Sequence, residues 1–151
     1  MRKLALAAAL LFAAAASPTD TLAQTHRDVV TAQLDSVRNR LAQDGYQADA
    51  GALPGDAVVG LLARSGSVML EINLRAGVQY LIAGGCDRDC TDLDLRVLAQ
   101  DMRTVLGEDM AEDDVPVVTF TAPRSGPHLL AVMMPGCRTD LCYFGFRVLA
   151  K

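Results

Sequence analysis

The stretch "SVMLEINL", Ser67 to Leu74, sets Val68, Leu70, Ile72 and Leu74 against Ser67, Met69, Glu71 and Asn73. A strict two-residue alternation puts apolar side chains on one face of a strand and the remainder on the other. The same period recurs to the end of the chain. "RAG" breaks the first strand and "VQYLIAGG" follows as a second. "DLDLRVL" places Leu93, Leu95 and Val97 on one face and Asp92, Asp94 and Arg96 on the other. "TVLGED" reads as a hairpin return, and "PVVTFTA" gives Val118 and Phe120 a common face. "HLLAVMMP" is apolar on both faces and reads as a central strand. "CYFGFRVLA" aligns Phe144, Phe146 and Val148. "AVVGLLARSG" stays ambiguous, being short, apolar and interrupted by Gly60. About seven short strands divided by Gly, Pro and Asp turns predict a mainly β protein, an antiparallel β-sandwich. There is no βαβ alternation and no Gly-rich phosphate loop, which excludes a dinucleotide-binding α/β fold.

One helix is expected ahead of the strands. In "THRDVVTAQLDSVRNRLAQ", residues 25–43, Val30, Leu34, Val37 and Leu41 share a face, with Arg27, Asp35, Arg38 and Arg40 largely elsewhere. Thr25 with Asp28 suits its start and Gly45 its stop. An amphipathic stripe of this kind usually covers one side of its own domain; docking a partner is the rival role. "YQADAGALPGD", residues 46–56, is a linker punctuated by Pro54 and Gly55.

The chain opens "MRKLALAAALLFAAAASPTDTLAQ". Arg2 and Lys3, an apolar run too short to span a bilayer, and Ala23 after Thr21 form the grammar of a secretory signal peptide. The expected organisation is a signal peptide over 1–23, the helix and linker over 24–50, and the sandwich over 51–151. Roughly 130 residues remain from Gln24, one domain with a core of its own. The net charge of −4 becomes one unit more negative when Arg2, Lys3 and Asp20 leave. An acidic chain without a basic patch argues against a nucleic-acid partner and against docking on anionic lipid. No later segment is an integral membrane span.

"GGCDRDCTDLDL", Gly84 to Leu95, gathers two of the four cysteines and four aspartates. Cys86 and Cys90 are spaced C-x3-C, and Cys137 and Cys142 C-x4-C. Structural zinc prefers C-x2-C pairs or cysteine with histidine, and neither His26 nor His128 is near a cysteine in sequence. In an exported chain an even count reads as disulfides. Local clamps Cys86–Cys90 and Cys137–Cys142 are the preferred connectivity, each contributing roughly 2 kcal/mol; one long-range bridge between the pairs is the alternative. Calcium is the rival use of the stretch. Asp87, Asp89, Asp92 and Asp94 are hard oxygen ligands, and Asp92 and Asp94 share a strand face about 7 Å apart. The spacing is not that of an EF-hand, and calcium's six to eight oxygens would need help from "GEDMAEDD", Gly107 to Asp114.

Ala76, Gly77 and Tyr80, then Asp92, Asp94 and Leu95, then Gly126 with Leu130 and Val132 resemble the short motifs of the bacterial pre-peptidase C-terminal domain over about residues 66–150. The resemblance implies a jelly-roll-like β-sandwich, often appended to secreted peptidases, some members of which bind calcium or matrix polymers. It marks Asp92 and Asp94 as the positions to suspect for metal. His128 stands where that family usually has an aromatic, the paired cysteines are additional, and the expected organisation, a module plus a helix, includes no catalytic domain.

The functional expectation is an exported, periplasmic or secreted, non-catalytic binding or interaction module. It would be stabilised by disulfides and have a protein or polymer partner. The alternative is a secreted hydrolase, or a hydrolase-accessory domain with a calcium site. Ser125 and His128 with the acidic loop are the residues a serine mechanism would recruit, but "SGPH" lacks a nucleophile-elbow context.

Overall fold

The computed structural model describes residues 18–151. The apolar part of the expected signal peptide, residues 1–17, lies outside the described residues. The chain runs through α1 (Pro18–Gln43), β1 (Gln47–Ala48), β2 (Val58–Ala63), β3 (Ser67–Leu74), β4 (Gln79–Cys86), β5 (Cys90–Leu98), β6 (Val105–Asp109), β7 (Val117–Thr121), β8 (Gly126–Cys137) and β9 (Leu141–Ala150). The segment around Gly60 that sequence left open is strand β2.

All pairings are antiparallel, and four of them are nested. β5 pairs with β6, β4 with β7, β3 with β8 and β2 with β9. Such a folded-over hairpin stack is the jelly roll, and it divides the strands between two sheets. One runs β9-β4-β7 with β1 and β2 both on the free edge of β9; the other runs β3-β8-β5-β6. β8 is central, as its apolar character predicts.

The alternation read from sequence is the alternation of burial. Ile72, Leu74, Leu93, Leu95, Val97, Val118, Phe120, Leu130, Val132, Phe144, Phe146 and Val148 point between the sheets and form one core. This is the burial that supports the fold, at about 25 cal/mol per Å² of apolar surface.

The outer face of the β9 sheet is covered by α1. Gly85 and Gly145 are register partners there. A Cβ on Gly145 would lie 2.7 Å from Val30 and 3.0 Å from Leu34, so the missing side chains let the helix descend onto the sheet. Val30, Leu34 and Val37 are buried by it. The helix stops in a Schellman motif. The Tyr46 N–H donates to the Leu41 carbonyl at 3.1 Å and the Gly45 N–H to that of Ala42 at 3.2 Å, with Gly45 at φ +88°. Tyr46 then packs with Val37, Leu41, Leu81 and Leu149. α1 begins at Pro18, earlier than the Thr25 expected from the Thr–Asp spacing. Proline suits a first turn, and nothing between it and Thr25 breaks a helix.

Under the helix lies Arg147, on the same outward face of β9 as Gly145. Its side chain is 5 % exposed and pairs with Asp35 of α1 at 2.6 Å and with Asp56 ahead of β2. Arg38 bridges the same two carboxylates from the helix. A buried guanidinium shared between two aspartates fixes how the helix lies on the sheet.

Candidate functional site

Both cysteine pairs close where the chain crosses from one sheet to the other, and at the same end of the sandwich. Cys86–Cys90 spans the β4–β5 corner and Cys137–Cys142 the β8–β9 corner. Cys90 and Cys137 are register partners, so the corners lie side by side. Arg138 ties them further: its N–H donates to the Asp89 carbonyl at 2.8 Å and its guanidinium to that of Arg88 at 3.1 Å.

The four aspartates of "CDRDCTDLD" divide into two sites. Asp87 is buried inside the first disulfide loop. Its Oδ1 accepts the N–H groups of Asp89 and Cys90 at 3.1 and 3.2 Å, and its Oδ2 accepts that of Tyr143 at 2.9 Å. His26 of α1 reaches the same Oδ2 through Nδ1 at 3.1 Å, its ring stacked near Tyr143. Asp89 stands beside them, half-buried. Among the described residues, His26, Asp87 and Asp89 are the one set of three or more potential ligand side chains whose donor atoms lie within 4.8 Å of one another. Sequence placed Asp87 and Asp89 together but gave no signal for His26, which the fold brings in from 61 residues away.

Asp92 and Asp94 share the outer face of β5, as the period of two predicts. The acidic loop after β6 folds alongside them: the Leu93 N–H donates to the Asp113 carbonyl at 2.9 Å. One oxygen of Asp92 and one of Asp94 are buried without a hydrogen-bond partner. Burial, then the charges of Glu112 and Asp113, hold the Asp92 carboxyl above the usual aspartate range, against an opposing amide hydrogen bond from Asp113. Burial, then the charges of Asp92, Asp109 and Asp113, do the same for Asp94, against the opposing pull of Arg96. The set is therefore electrostatically strained. Among the described residues no third carboxylate converges on Asp92 and Asp94 at ligand spacing; Asp109 accepts the N–H groups of Val117 and Ala111 at 2.8 and 3.2 Å.

The outer face of the β3-β8-β5-β6 sheet carries a groove of about 380 Å³. Met69, Leu98, Met102, Val105, Ala131 and Met133 line it, with Arg96 and Arg103 at its rim. Met69 and Met102 are more than half exposed. Met102 is held at φ +58°, a conformation an unbranched side chain rarely adopts. The preceding Asp101 fixes the turn by accepting the Arg103 N–H, the Thr104 N–H and the Thr104 hydroxyl at 2.9, 2.8 and 2.7 Å. These bonds, those of Thr104 foremost, pull the Asp101 carboxyl down to about 2. Sequence reasoning missed this groove because it is assembled from the outward-facing positions of four strands and a turn.

The residues a serine mechanism would recruit are engaged elsewhere. The Ser125 hydroxyl accepts the Ala76 N–H at 2.9 Å, and buried His128 holds Nδ1 3.0 Å from the Gly126 carbonyl. Tyr80 is a structural anchor. Its hydroxyl donates to Asp49 at 3.1 Å and accepts the Arg75 N–H at 3.0 Å, pinning the turn made by Gly77 to the segment before β2. Burial alone would raise Asp49; hydrogen bonds from Gly51, Arg75 and Tyr80 outweigh it and hold the carboxyl below its ordinary range.

A jelly-roll sandwich with a helix across one sheet and two disulfide-closed corners at one end is the class these features define. The fold is that of the pre-peptidase C-terminal domain of Bacillus anthracis collagenase, whose crystal structure matches at a TM-score of 0.50 and 13 % identity over 61 % of this chain and 86 % of that one. Also similar is a periplasmic inhibitor of g-type lysozyme from Aeromonas hydrophila, at a TM-score of 0.49 and 15 % identity over 70 % and 92 % of the two chains. A carbohydrate-binding module from Cellvibrio mixtus lichenase 5A follows at 0.38 and 9 %, over 68 % and 94 %. No protein-family model matches the chain, and no curated protein sequence does either. No helix among the described residues is long and apolar enough to cross a membrane.

Proposed function

We propose that this chain is an exported, non-catalytic binding module that takes a protein partner in the groove over the β3-β8-β5-β6 sheet. The observation that carries the reading is the groove itself. Methionines on a sheet face, one of them displayed by a strained turn, are exposed where a monomer would ordinarily place polar side chains. Methionine's unbranched, polarizable chain adapts to a partner's surface, and Arg103 suits an acidic group at the partner's rim, beside Arg96, which Glu108 holds at 2.7 Å. Two disulfides, which persist in oxidising compartments, support export to the periplasm or medium.

A photo-crosslinking residue placed at Met102, and in a control at Thr121 on the other sheet, tests this in cell-envelope and medium fractions of the source cells. A discrete adduct from position 102, absent at 121 and lost on adding Met69→Asp, is the expected result. No adduct, or equal adducts at both positions, overturns the reading.

A second reading concerns Asp92 and Asp94. Their unpartnered buried oxygens and raised carboxyls suit a divalent, oxygen-seeking cation, calcium by its chemistry, that would relieve the strain when loop residues Glu112 and Asp113 close on it. Thermal melts with millimolar calcium and with chelator test it: a calcium-dependent rise in Tm that Asp94→Asn removes supports the site, and identical melts dismiss it.

A further inference from the structure

The strongest unassigned constellation lies at the disulfide corner, not in the groove. We propose that His26, Asp87 and Asp89 form a binding site for a borderline divalent transition-metal ion, with zinc as the type ion, bridging α1 to the β4–β5 corner.

Three observations converge. First, donor spacing: the 3.1 Å between His26 Nδ1 and Asp87 Oδ2 is close to one edge, roughly 3.3 Å, of a tetrahedron with zinc–ligand bonds near 2.0 Å. Asp89 completes a set of three within 4.8 Å. Second, preparation: three backbone N–H groups, of Asp89, Cys90 and Tyr143, hold the Asp87 carboxylate and leave a lone pair of Oδ2 facing His26. Ligating carboxylates are commonly oriented by such outer hydrogen bonds. The Cys86–Cys90 bond closes the loop carrying both aspartates. Third, charge and softness: two carboxylates and a neutral imidazole cancel a 2+ ion, and the nitrogen donor favours zinc over calcium, which takes oxygen. Three protein ligands leave a fourth position for water or for a partner's side chain. Binding would exchange the His26–Asp87 hydrogen bond for two metal bonds and leave the backbone cradle intact.

The bland alternative is that His26 and Asp87 only fasten the helix to the corner by a hydrogen bond. Asp89 separates the two. Its carboxylate has no hydrogen-bond partner among the described residues, so Asp89→Asn leaves a mere tether untouched but removes a charged ligand. The experiment is zinc titration by calorimetry, with untagged, chelator-stripped, disulfide-intact protein at neutral pH, and melting curves alongside. Expected is one zinc per chain with a rise in Tm, affinity falling at least tenfold in both Asp89→Asn and His26→Gln. Asp94→Asn should retain zinc affinity, and millimolar calcium should fail to displace the ion. Absence of stoichiometric zinc in the wild type, unchanged affinity in Asp89→Asn, or loss confined to Asp94→Asn overturns the site. Because the groove plays no part in this readout, its failure leaves the proposed partner face standing, and the converse also holds.

Discussion

Asp94 is buried, one of its oxygens has no partner, and its neighbours Asp92, Asp109 and Asp113 are of like charge. A carboxyl whose pKa is raised in the folded state works against folding once ionised. That penalty is fully present at neutral pH. It is relieved as pH falls through the raised value, and both states are protonated below the ordinary aspartate range. Asp94→Asn removes the charge and supplies amide hydrogens to the surrounding carboxylates. It is expected to stabilise the metal-free protein at pH 7 by about 1 kcal/mol, the scale of one net hydrogen bond. The gain should disappear near pH 3, and denaturant melts at the two pH values measure it. At this scale sequence showed half the picture. The period of two placed Asp92 and Asp94 side by side. The use of Asp87 was illegible, because its partners are backbone N–H groups and a histidine from another element.

At the scale of elements, the strands were legible because each carries its core face in alternation, and "SVMLEINL" becomes β3 with no residue gained or lost. The covered side of β9 was not. Gly145, Arg147 and Leu149 look unremarkable beside Phe144, Phe146 and Val148 until the helix that packs on them is known. Only the two together explain why a glycine sits mid-strand and a guanidinium is buried. Gly145→Ala is therefore expected to cost about 1–3 kcal/mol by overpacking against Val30 and Leu34 of the helix and the Val58 carbonyl of β2, in a range typical of such insertions. Gly77→Ala, with open space around its Cβ but φ +77°, would instead act through backbone strain in a turn and leave the helix seated. Comparing the two by helix-specific hydrogen exchange as well as by Tm separates the causes: the first should loosen α1, the second should not. The corners are a different kind of element. Replacing Cys86 and Cys90 together by alanine is expected to cost roughly 2 kcal/mol by the loop-entropy relation, and unchanged stability on chemical denaturation would show that the corner is held by Asp87 and Arg138 alone.

For the molecule as a whole, α1 covers the back of one sheet, and the proposed groove lies on the outside of the other. The two faces are thus separated by the full thickness of the sandwich, which lets one be sealed by the chain's own helix while the other stays open. The amphipathic stripe that sequence could have assigned to a partner is spent at home: Val30, Leu34 and Val37 are buried against β4 and β9. Burying three such side chains is worth about 5 kcal/mol before ordering costs, comparable with the whole stability of a small domain. Without the helix, Arg147 also loses Asp35, and Asp87 loses His26. A chain beginning at Asp44 is accordingly expected to melt far below the intact protein or to aggregate through its uncovered sheet, as judged by calorimetry and light scattering. If it were instead to remain a folded monomer of near-native Tm, the helix would be a detachable strap. Its stripe would then be as available to a partner as the methionine groove on the opposite face.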